Sequence, residues 1–194
     1  MVFALALLPT VWMVAQALLD RLGADPIKKA QLLTGEWAIR MLALALAVTP
    51  VRLLTGWGWL QLYRRPLGLF AAWYAALHVT VFFALDLALA FDEFASEIVK
   101  RPYLTLGMLA FSLLLVLAAT STKGWVRRLG ARRWQAVHRL VYVAAAAALV
   151  HFFWSQKKDI TDPLIWSVVF AALAAVRVWH RSAHRMGATT AESA

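Results

Sequence analysis

Residues 134–154 read WQAVHRLVYVAAAAALVHFFW, and this stretch decides the fold of the chain. It is apolar enough and long enough to cross a hydrocarbon core about 30 Å thick, yet it carries His138 near one end and His151 near the other. Because thirteen residues of α-helix rise about 20 Å, the two imidazoles are expected at different membrane depths. Ionisable side chains inside a membrane span are costly and usually mark a pathway or a cofactor.

The composition of the whole chain is that of a membrane protein. Its 194 residues are 62% hydrophobic and only 15% charged, whereas soluble domains average about 45–50% apolar residues. We therefore predict an all-α fold, a bundle of six transmembrane helices that forms a single membrane domain over residues 1–180. The basic and then small, polar residues 181–194 are predicted to be a disordered cytoplasmic tail.

Six apolar segments form the predicted spans, and breaker residues or polar stretches separate them. The segments between the spans are predicted to be loops, among them 20–35, the acidic stretch 91–101 and the basic stretch 123–133. The approximate bounds of the spans are 1–19, 36–54, 66–90, 102–120, 134–154 and 163–179.

The charge distribution predicts the orientation of the bundle. The net charge is +10, but the basic residues lie beside apolar spans and no nucleic-acid-binding motif is present, so they fit the orientation rule for membrane proteins. Of the 20 Lys and Arg residues, twelve fall on the side of 52–65, 121–139 and the C-terminal tail, seven fall on the other side, and Arg40 lies within the second span. Both termini are therefore predicted to be cytoplasmic.

The chain contains no cysteine. This excludes disulfides, iron–sulfur clusters and the cysteine attachment of c-type haem. The sequence also lacks the glycine-rich dinucleotide fingerprint, so we expect that the chain does not collect hydride from a nicotinamide by itself.

A third histidine, His78, lies in the third span, which runs in the same direction as the span of His138 and His151. His78 and His151 can face each other in the outer half of the membrane, as the two axial ligands of a b-type haem do. A buried histidine bonded to a neighbouring carbonyl is the alternative for any one of them. Three histidines on two co-directed spans favour haem.

His138 lies about one turn into its span and has no histidine partner at its own depth. A straight helix rotates by about 140° between His138 and His151, so the two rings do not share one face. Arg64 approaches the level of His138, and its permanently protonated guanidinium suits a haem propionate or a flavin phosphate better than iron. We predict a second, inner haem on His138 beside Arg64, while the spacing leaves one or two haems open.

Two other functions remain as alternatives at this point. A proton or solute transporter would use the histidines as relays, but broken helices or paired acids at the midplane are not apparent in the sequence. A structural membrane anchor for a partner would not need three membrane histidines.

Several segments resemble the ferric-reductase-like transmembrane superfamily. Their order, together with the three histidines, makes the resemblance specific, and they cover most of the chain from Leu22 to about Arg177. They are LGADP at 22–26, TGEWAIR at 34–40, RRPLGL…WYAALH at 64–78, KRPYLTLG at 100–107, ATST at 119–122 and RRLGARRWQAVHRLVYV…HFFWSQK at 127–157.

Within the superfamily, the chain is similar to the haem-binding membrane subunits of bacterial methionine sulfoxide reductase systems. This resemblance implies six helices in the bacterial inner membrane and b-type haem, and a flavin mononucleotide is associated with the family. Electrons would pass from a cytoplasmic flavin reductase or the quinone pool to a periplasmic molybdopterin-containing methionine sulfoxide reductase catalytic subunit.

The same motif match implies that His78, His138 and His151 are haem-iron ligands, and Arg64 stands where the wider superfamily has a fourth histidine. No residue is assigned a catalytic role. The chain is expected to be an electron-transfer subunit of an oxidoreductase complex rather than a stand-alone catalyst.

Overall fold

A computed structural model describes residues 2–156 and 159–192 of the chain. The described part contains eight α-helices and no strand, which confirms the predicted all-α class. A 3₁₀ turn, Gly58–Leu60, precedes α3, and a π-helical turn, Val81–Asp86, follows it. The helices are α1 Val2–Leu18, α2 Pro26–Thr55, α3 Gln61–Thr80, α4 Phe91–Lys100, α5 Pro102–Ala119, α6 Lys123–His138, α7 Val141–Ser155 and α8 Thr161–Glu192.

The bundle has the helix lengths that a membrane requires. Within the described ranges, five segments are long and apolar enough to cross a bilayer, and α1 adds a shorter apolar helix of 17 residues. These six elements follow the order of the six predicted spans, so the predicted multi-pass bundle is confirmed. The five segments are Pro26–Thr55, Gly58–Asp86, Pro102–Ala119, Lys123–Ser155 and Thr161–His180.

Two helix pairs form the centre of the bundle. The helix α3 packs mainly against α2, and α7 packs mainly against α5, whereas α3 and α7 make little direct contact with each other. The two pairs join through α3 and α5, with α8 against α2 and α7. Buried side chains at the centre include Leu42, Tyr74 and Ala144. This arrangement leaves α3 and α7 facing each other across the seam between the pairs.

Polar side chains inside the bundle are bonded across helices. The Tyr74 hydroxyl donates to the Ala6 carbonyl at 2.6 Å and ties α3 to α1. The guanidinium of Arg177 on α8 is buried and donates to the Tyr142 hydroxyl and the Leu46 carbonyl. Such bonds are expected because an unbonded polar group is costly in an apolar environment.

The predicted loop 20–35 is wrong over most of its length, because α2 begins at Pro26. The Asp25 side chain accepts a hydrogen bond from the Lys28 backbone N–H at 3.1 Å, and Pro26 occupies the first turn. An Asp cap followed by Pro is a strong helix start. The extension places residues 26–35 alongside the end of α3.

The predicted loop 91–101 is also wrong, because residues Phe91–Lys100 form α4. This short helix is amphipathic. On its apolar side, the rings of Phe91 and Phe94 lie with their centroids 4.7 and 5.1 Å from that of Phe83. These aromatic contacts hold the helix against the π-helical turn. The acidic residues of the stretch led to the prediction of a loop, although its phenylalanines allow this packing.

The predicted basic loop 123–133 and the predicted single span 134–154 both need correction. Residues Lys123–His138 form α6, interrupted at Gly130, where φ is 72°. The chain then turns before α7 begins at Val141, because Leu140 and Tyr142 donate to carbonyls three residues back rather than four. The break falls directly after His138, so His138 and His151 lie on two helices.

At the C-terminal end, α8 continues through Glu192 and so enters the segment that was predicted to be a tail. The proposed domain boundary after residue 180 stays a prediction.

Candidate functional site

The structure brings His78 and His151 together across the seam between α3 and α7. Their ring centroids are 6.2 Å apart and their ring planes are inclined at 79°. His78 lies in the last turn of α3, and His151 lies in the last turns of α7. The expectation that these two imidazoles face each other is met by the geometry. Their role as iron ligands stays a prediction.

Each of the two rings is bonded to a backbone carbonyl of a different neighbouring helix. His78 Nδ1 lies 2.9 Å from the Gln31 carbonyl oxygen on α2, and His151 Nδ1 lies 2.7 Å from that of Tyr103 on α5. A carbonyl oxygen only accepts, so each Nδ1 must carry the hydrogen. In a neutral imidazole, the lone pair is then on Nε2, the atom available to a metal.

This pair fits a haem iron. Two imidazole nitrogens are a common axial donor set for haem, and the hydrogen bond from the other ring nitrogen is the usual support for a ligating histidine. With metal–nitrogen bonds of about 2 Å and about 1.1 Å from nitrogen to ring centre, two rings on opposite sides of one metal have centroids about 6 Å apart. Within the described residues, no three His, Cys or acidic side chains come together, so the site offers two nitrogens rather than a full set of metal ligands.

His138 lies at the opposite end of α5 from His151. Its Nε2 is 3.2 Å from the Thr120 hydroxyl oxygen, at the end of α5, whereas Tyr103 is at the start of that helix. The Thr120 hydroxyl donates to the Val116 carbonyl at 2.7 Å, so its oxygen is left to accept from Nε2–H. The Trp134 ring stacks on His138 with centroids 3.9 Å apart. The structure therefore separates His138 from the facing pair. The hydrogen-bonded nitrogen of His138 is Nε2, whereas that of His78 and of His151 is Nδ1.

Arg64 lies in the first turn of α3, at the same end of the bundle as His138. Its side chain is exposed, and its guanidinium is close enough to act electrostatically on the His138 imidazole. The role of Arg64 beside a cofactor on His138 stays a prediction. Arg40, the charge within the second span, pairs with Glu36 at 2.8 Å on the same helix.

A polar rim surrounds the end of the bundle that carries the facing pair. The Tyr103 ring lies 5.9 Å from that of His151, and the Tyr103 hydroxyl accepts from Arg101 at 3.3 Å. This hydrogen bond raises the pKa of the Arg101 guanidinium above its ordinary value. A cleft of about 380 Å³ beside Arg101 is lined by acidic and basic side chains that include Asp86, Glu93, Glu97 and Lys100. Side chains of both signs of charge therefore line this cleft.

Sequence reasoning missed the residues that seat the two rings. They are the carbonyls of Gln31 and Tyr103 and two glycines, Gly35 and Gly107, which lie against His78 and His151. Backbone carbonyls carry no sequence signal. The two glycines are visible in the sequence, because Gly35 lies in segment 34–40 and Gly107 in segment 100–107, both of which carry the family resemblance.

Comparison with known proteins supplies the family. The model of the ferric reductase like transmembrane component matches residues 34–149. The protein-methionine-sulfoxide reductase heme-binding subunit MsrQ of Herminiimonas arsenicoxydans is 46% identical over 181 residues, which cover 92% of this chain and 83% of that protein. The MsrQ proteins of Xanthomonas campestris pv. campestris (strain 8004) and Xanthomonas oryzae pv. oryzae (strain MAFF 311018) are 45% and 44% identical, over 90% of this chain and 79% of each relative. The chain therefore belongs to the ferric reductase like transmembrane component family and, within it, to the MsrQ family.

Proposed function

We propose that this chain is a membrane electron-transfer subunit that holds b-type haem between His78 and His151. The observation that carries the proposal is the facing pair of imidazoles, with centroids 6.2 Å apart and each Nδ1 bonded to a carbonyl. The relatives named heme-binding subunits support it. The absence of cysteine in the sequence excludes the thioether attachment of c-type haem, which supports a haem that is bound without a bond to sulfur.

The residues of the chain provide binding, orientation and exclusion of water. When bound, haem supplies one-electron oxidation and reduction. His78 and His151 would hold its iron through Nε2, and the carbonyls of Gln31 and Tyr103 fix the two rings from behind. The apolar helices around the pair keep water away, which lowers the local dielectric and strengthens each of these interactions.

His138 and Arg64 form the second part of the proposal, an inner cofactor site. His138 would ligate a second haem, and Arg64 would pair with a propionate or with the phosphate of a flavin mononucleotide. The Thr120 hydroxyl accepts from Nε2–H of His138, so this ring would offer Nδ1 unless it released that bond. The facing pair offers Nε2 on both rings and contains two histidines, so the inner site is the weaker of the two.

The proposed direction of electron flow is from the cytoplasm to the periplasm of a bacterial inner membrane. The larger share of basic residues falls on the side of both termini, which supports a cytoplasmic location for them. The donor would be a cytoplasmic flavin reductase or the quinone pool, because the sequence lacks a dinucleotide fingerprint. The acceptor would be a periplasmic molybdopterin-containing methionine sulfoxide reductase catalytic subunit, in keeping with the names of the relatives.

The test is haem content. The purified protein should show b-type absorption bands, and His78→Ala and His151→Ala should each lose the haem that this pair holds. His180→Ala is the matched control, because His180 lies on α8, and it should retain all haem. A purified protein without haem bands, or equal haem loss in the control, would contradict the proposal.

A further inference from the structure

The two facing histidines bond to carbonyls of two different helices, and a glycine follows each carbonyl residue by four positions. The Thr34 hydroxyl adds a contact at His78, since it lies 3.4 Å from His78 Nδ1 and donates to the Gln31 carbonyl at 3.0 Å. His78 Nδ1 bonds to the carbonyl of Gln31, and the residue four positions later on α2 is Gly35. His151 Nδ1 bonds to the carbonyl of Tyr103, and the residue four positions later on α5 is Gly107. We call each arrangement, the carbonyl of one residue and the glycine four positions on, a carbonyl–glycine seat.

Helix geometry explains why a side chain at that position would obstruct these two rings. In an α-helix, the carbonyl of residue i already accepts the N–H of residue i+4, and its oxygen has a second lone pair. An incoming imidazole must reach that lone pair from the side. The Cβ of residue i+4 leans back toward the start of the helix, over the approach to that same carbonyl. At Gly35 and Gly107, the missing Cβ leaves this approach open to the two histidine rings.

The distances show how tight both seats are. A Cβ built on Gly107 would lie 2.7 Å from His151 Nδ1 and 2.9 Å from its Cε1, which is closer than real Cβ contacts allow. A Cβ built on Gly35 would lie 3.2 Å from both Nδ1 and Cε1 of His78, so that this ring would have to move by a few tenths of an ångström. In each case, the obstructed atom is the nitrogen that makes the hydrogen bond.

We propose that Gly35 and Gly107 are positioning residues for the outer redox site, which rests on the function proposed above. By opening the carbonyls of Gln31 and Tyr103 to a second hydrogen bond, they fix both histidines in the Nδ1–H tautomer and leave both Nε2 lone pairs for the iron. Each glycine lies against the ring of its histidine. They act through the rings alone.

The hydrogen bond also sets how strongly each ring donates electrons. An imidazole whose N–H is bonded to a carbonyl is a more basic ligand, and a more basic ligand favours the ferric over the ferrous state. A methyl group that pushes the ring off its carbonyl therefore has two effects. It weakens haem retention, and it raises the midpoint potential of the haem that remains.

The test compares three glycine-to-alanine variants of the full chain, purified in detergent with haem. Gly107→Ala should retain haem about 10- to 100-fold more weakly, the range for loss of such a support, and its remaining haem should have a raised midpoint potential. Gly35→Ala should show the same two changes to a smaller extent. Gly68→Ala is the matched control, since a Cβ on this helical glycine of α3 meets nothing within 4 Å.

A double-variant cycle distinguishes positioning from general damage. Gly107→Ala should lower the thermal stability of the chain when His151 is present and leave it unchanged in a His151→Ala background, where the obstructed ring is gone. The same loss in both backgrounds, or wild-type haem content and potential in Gly35→Ala and Gly107→Ala, would overturn the proposal. A wild-type chain without haem would instead contradict the proposed function, and the stability cycle would still decide whether the glycines act through the rings.

Discussion

The imidazole planes of His78 and His151 are inclined at 79° to each other. Each plane is set by its own carbonyl, Gln31 on α2 or Tyr103 on α5, so the angle is a property of two different helices. Axial imidazoles with nearly perpendicular planes leave two iron d orbitals almost equal in energy. Parallel planes split these orbitals.

This angle predicts the electron paramagnetic resonance spectrum of the oxidised protein. We expect the ferric haem on this pair to give a low-spin signal with one large g value instead of a rhombic spectrum. The measurement is made on wild-type protein and on His138→Ala, which retains the pair. A rhombic signal as the sole low-spin species in both samples would contradict the orientation of the two rings.

The second prediction assigns His138 to a separate haem. Because His138 contacts Thr120 at one end of α5, while His151 contacts Tyr103 at the other, His138→Ala should spare the outer haem and remove the inner one. Arg64→Gln should weaken the inner haem and leave the outer one intact. Haem quantification with redox titration separates the two populations.

Two outcomes would contradict that assignment. Equal loss of all haem in His78→Ala, His138→Ala and His151→Ala would indicate one shared site. Full haem content in His138→Ala would indicate that His138 holds no haem.

The histidine pair and the helical class could be predicted from the sequence, because both depend on features that sequence displays directly. Apolar length indicates spans, and an ionisable residue inside a span indicates a site. The relative orientation of His138 and His151 could not be predicted. One continuous span was expected over residues 134–154, whereas α6 ends at His138, where two hydrogen bonds shift to three-residue spacing.

The backbone carbonyls that bond to His78 and His151 could not be predicted either, for a different reason. Gln31 lies in a stretch that reads as a polar loop, since Asp, Pro and two Lys residues precede it. The cap at Asp25 converts that stretch into the first turns of α2. Only then does a backbone carbonyl reach His78, a contact that depends on packing between helices rather than on any local pattern.

The third prediction concerns the electron donor. The purified chain alone should not oxidise NADPH at a measurable rate, because the sequence lacks a dinucleotide fingerprint. Addition of a flavin reductase with free flavin, or of a quinol, should reduce the haem in the visible spectrum. Rapid NADPH oxidation by the chain without an added flavoprotein would contradict this assignment of roles.

The fourth prediction concerns orientation in the membrane. A reporter fused after Ala194 should be active in its cytoplasmic form, and one inserted into the segment between α4 and α5 should be active in its periplasmic form. The physical reason is the excess of Lys and Arg on the side of both termini. The reverse pattern of activities would place the facing histidines at the cytoplasmic side and reverse the proposed direction of electron flow.

The last prediction separates stability from cofactor binding on α3. Tyr74 is fully buried, and its hydroxyl donates to the Ala6 carbonyl at 2.6 Å while it accepts from Thr10 at 3.2 Å. Tyr74→Phe removes both bonds, which hold α1 against α3, and keeps the ring volume. Hydrogen bonds between membrane helices contribute about 0.6 kcal/mol on average and up to about 1.7 kcal/mol. Loss of the two bonds should lower the free energy of unfolding in mixed micelles by about 1.2 kcal/mol, and by at most about 3.4 kcal/mol.

His78 lies one helical turn beyond Tyr74, but its seat is on α2, so haem content should not change in Tyr74→Phe. Tyr63→Phe serves as the control, because the Tyr63 ring packs against Trp59 at the start of α3, away from α1. The unfolding free energy of this control should match that of the wild type. Loss of haem from Tyr74→Phe at unchanged stability would show that α1 acts on the histidine site and not only on the packing of the bundle.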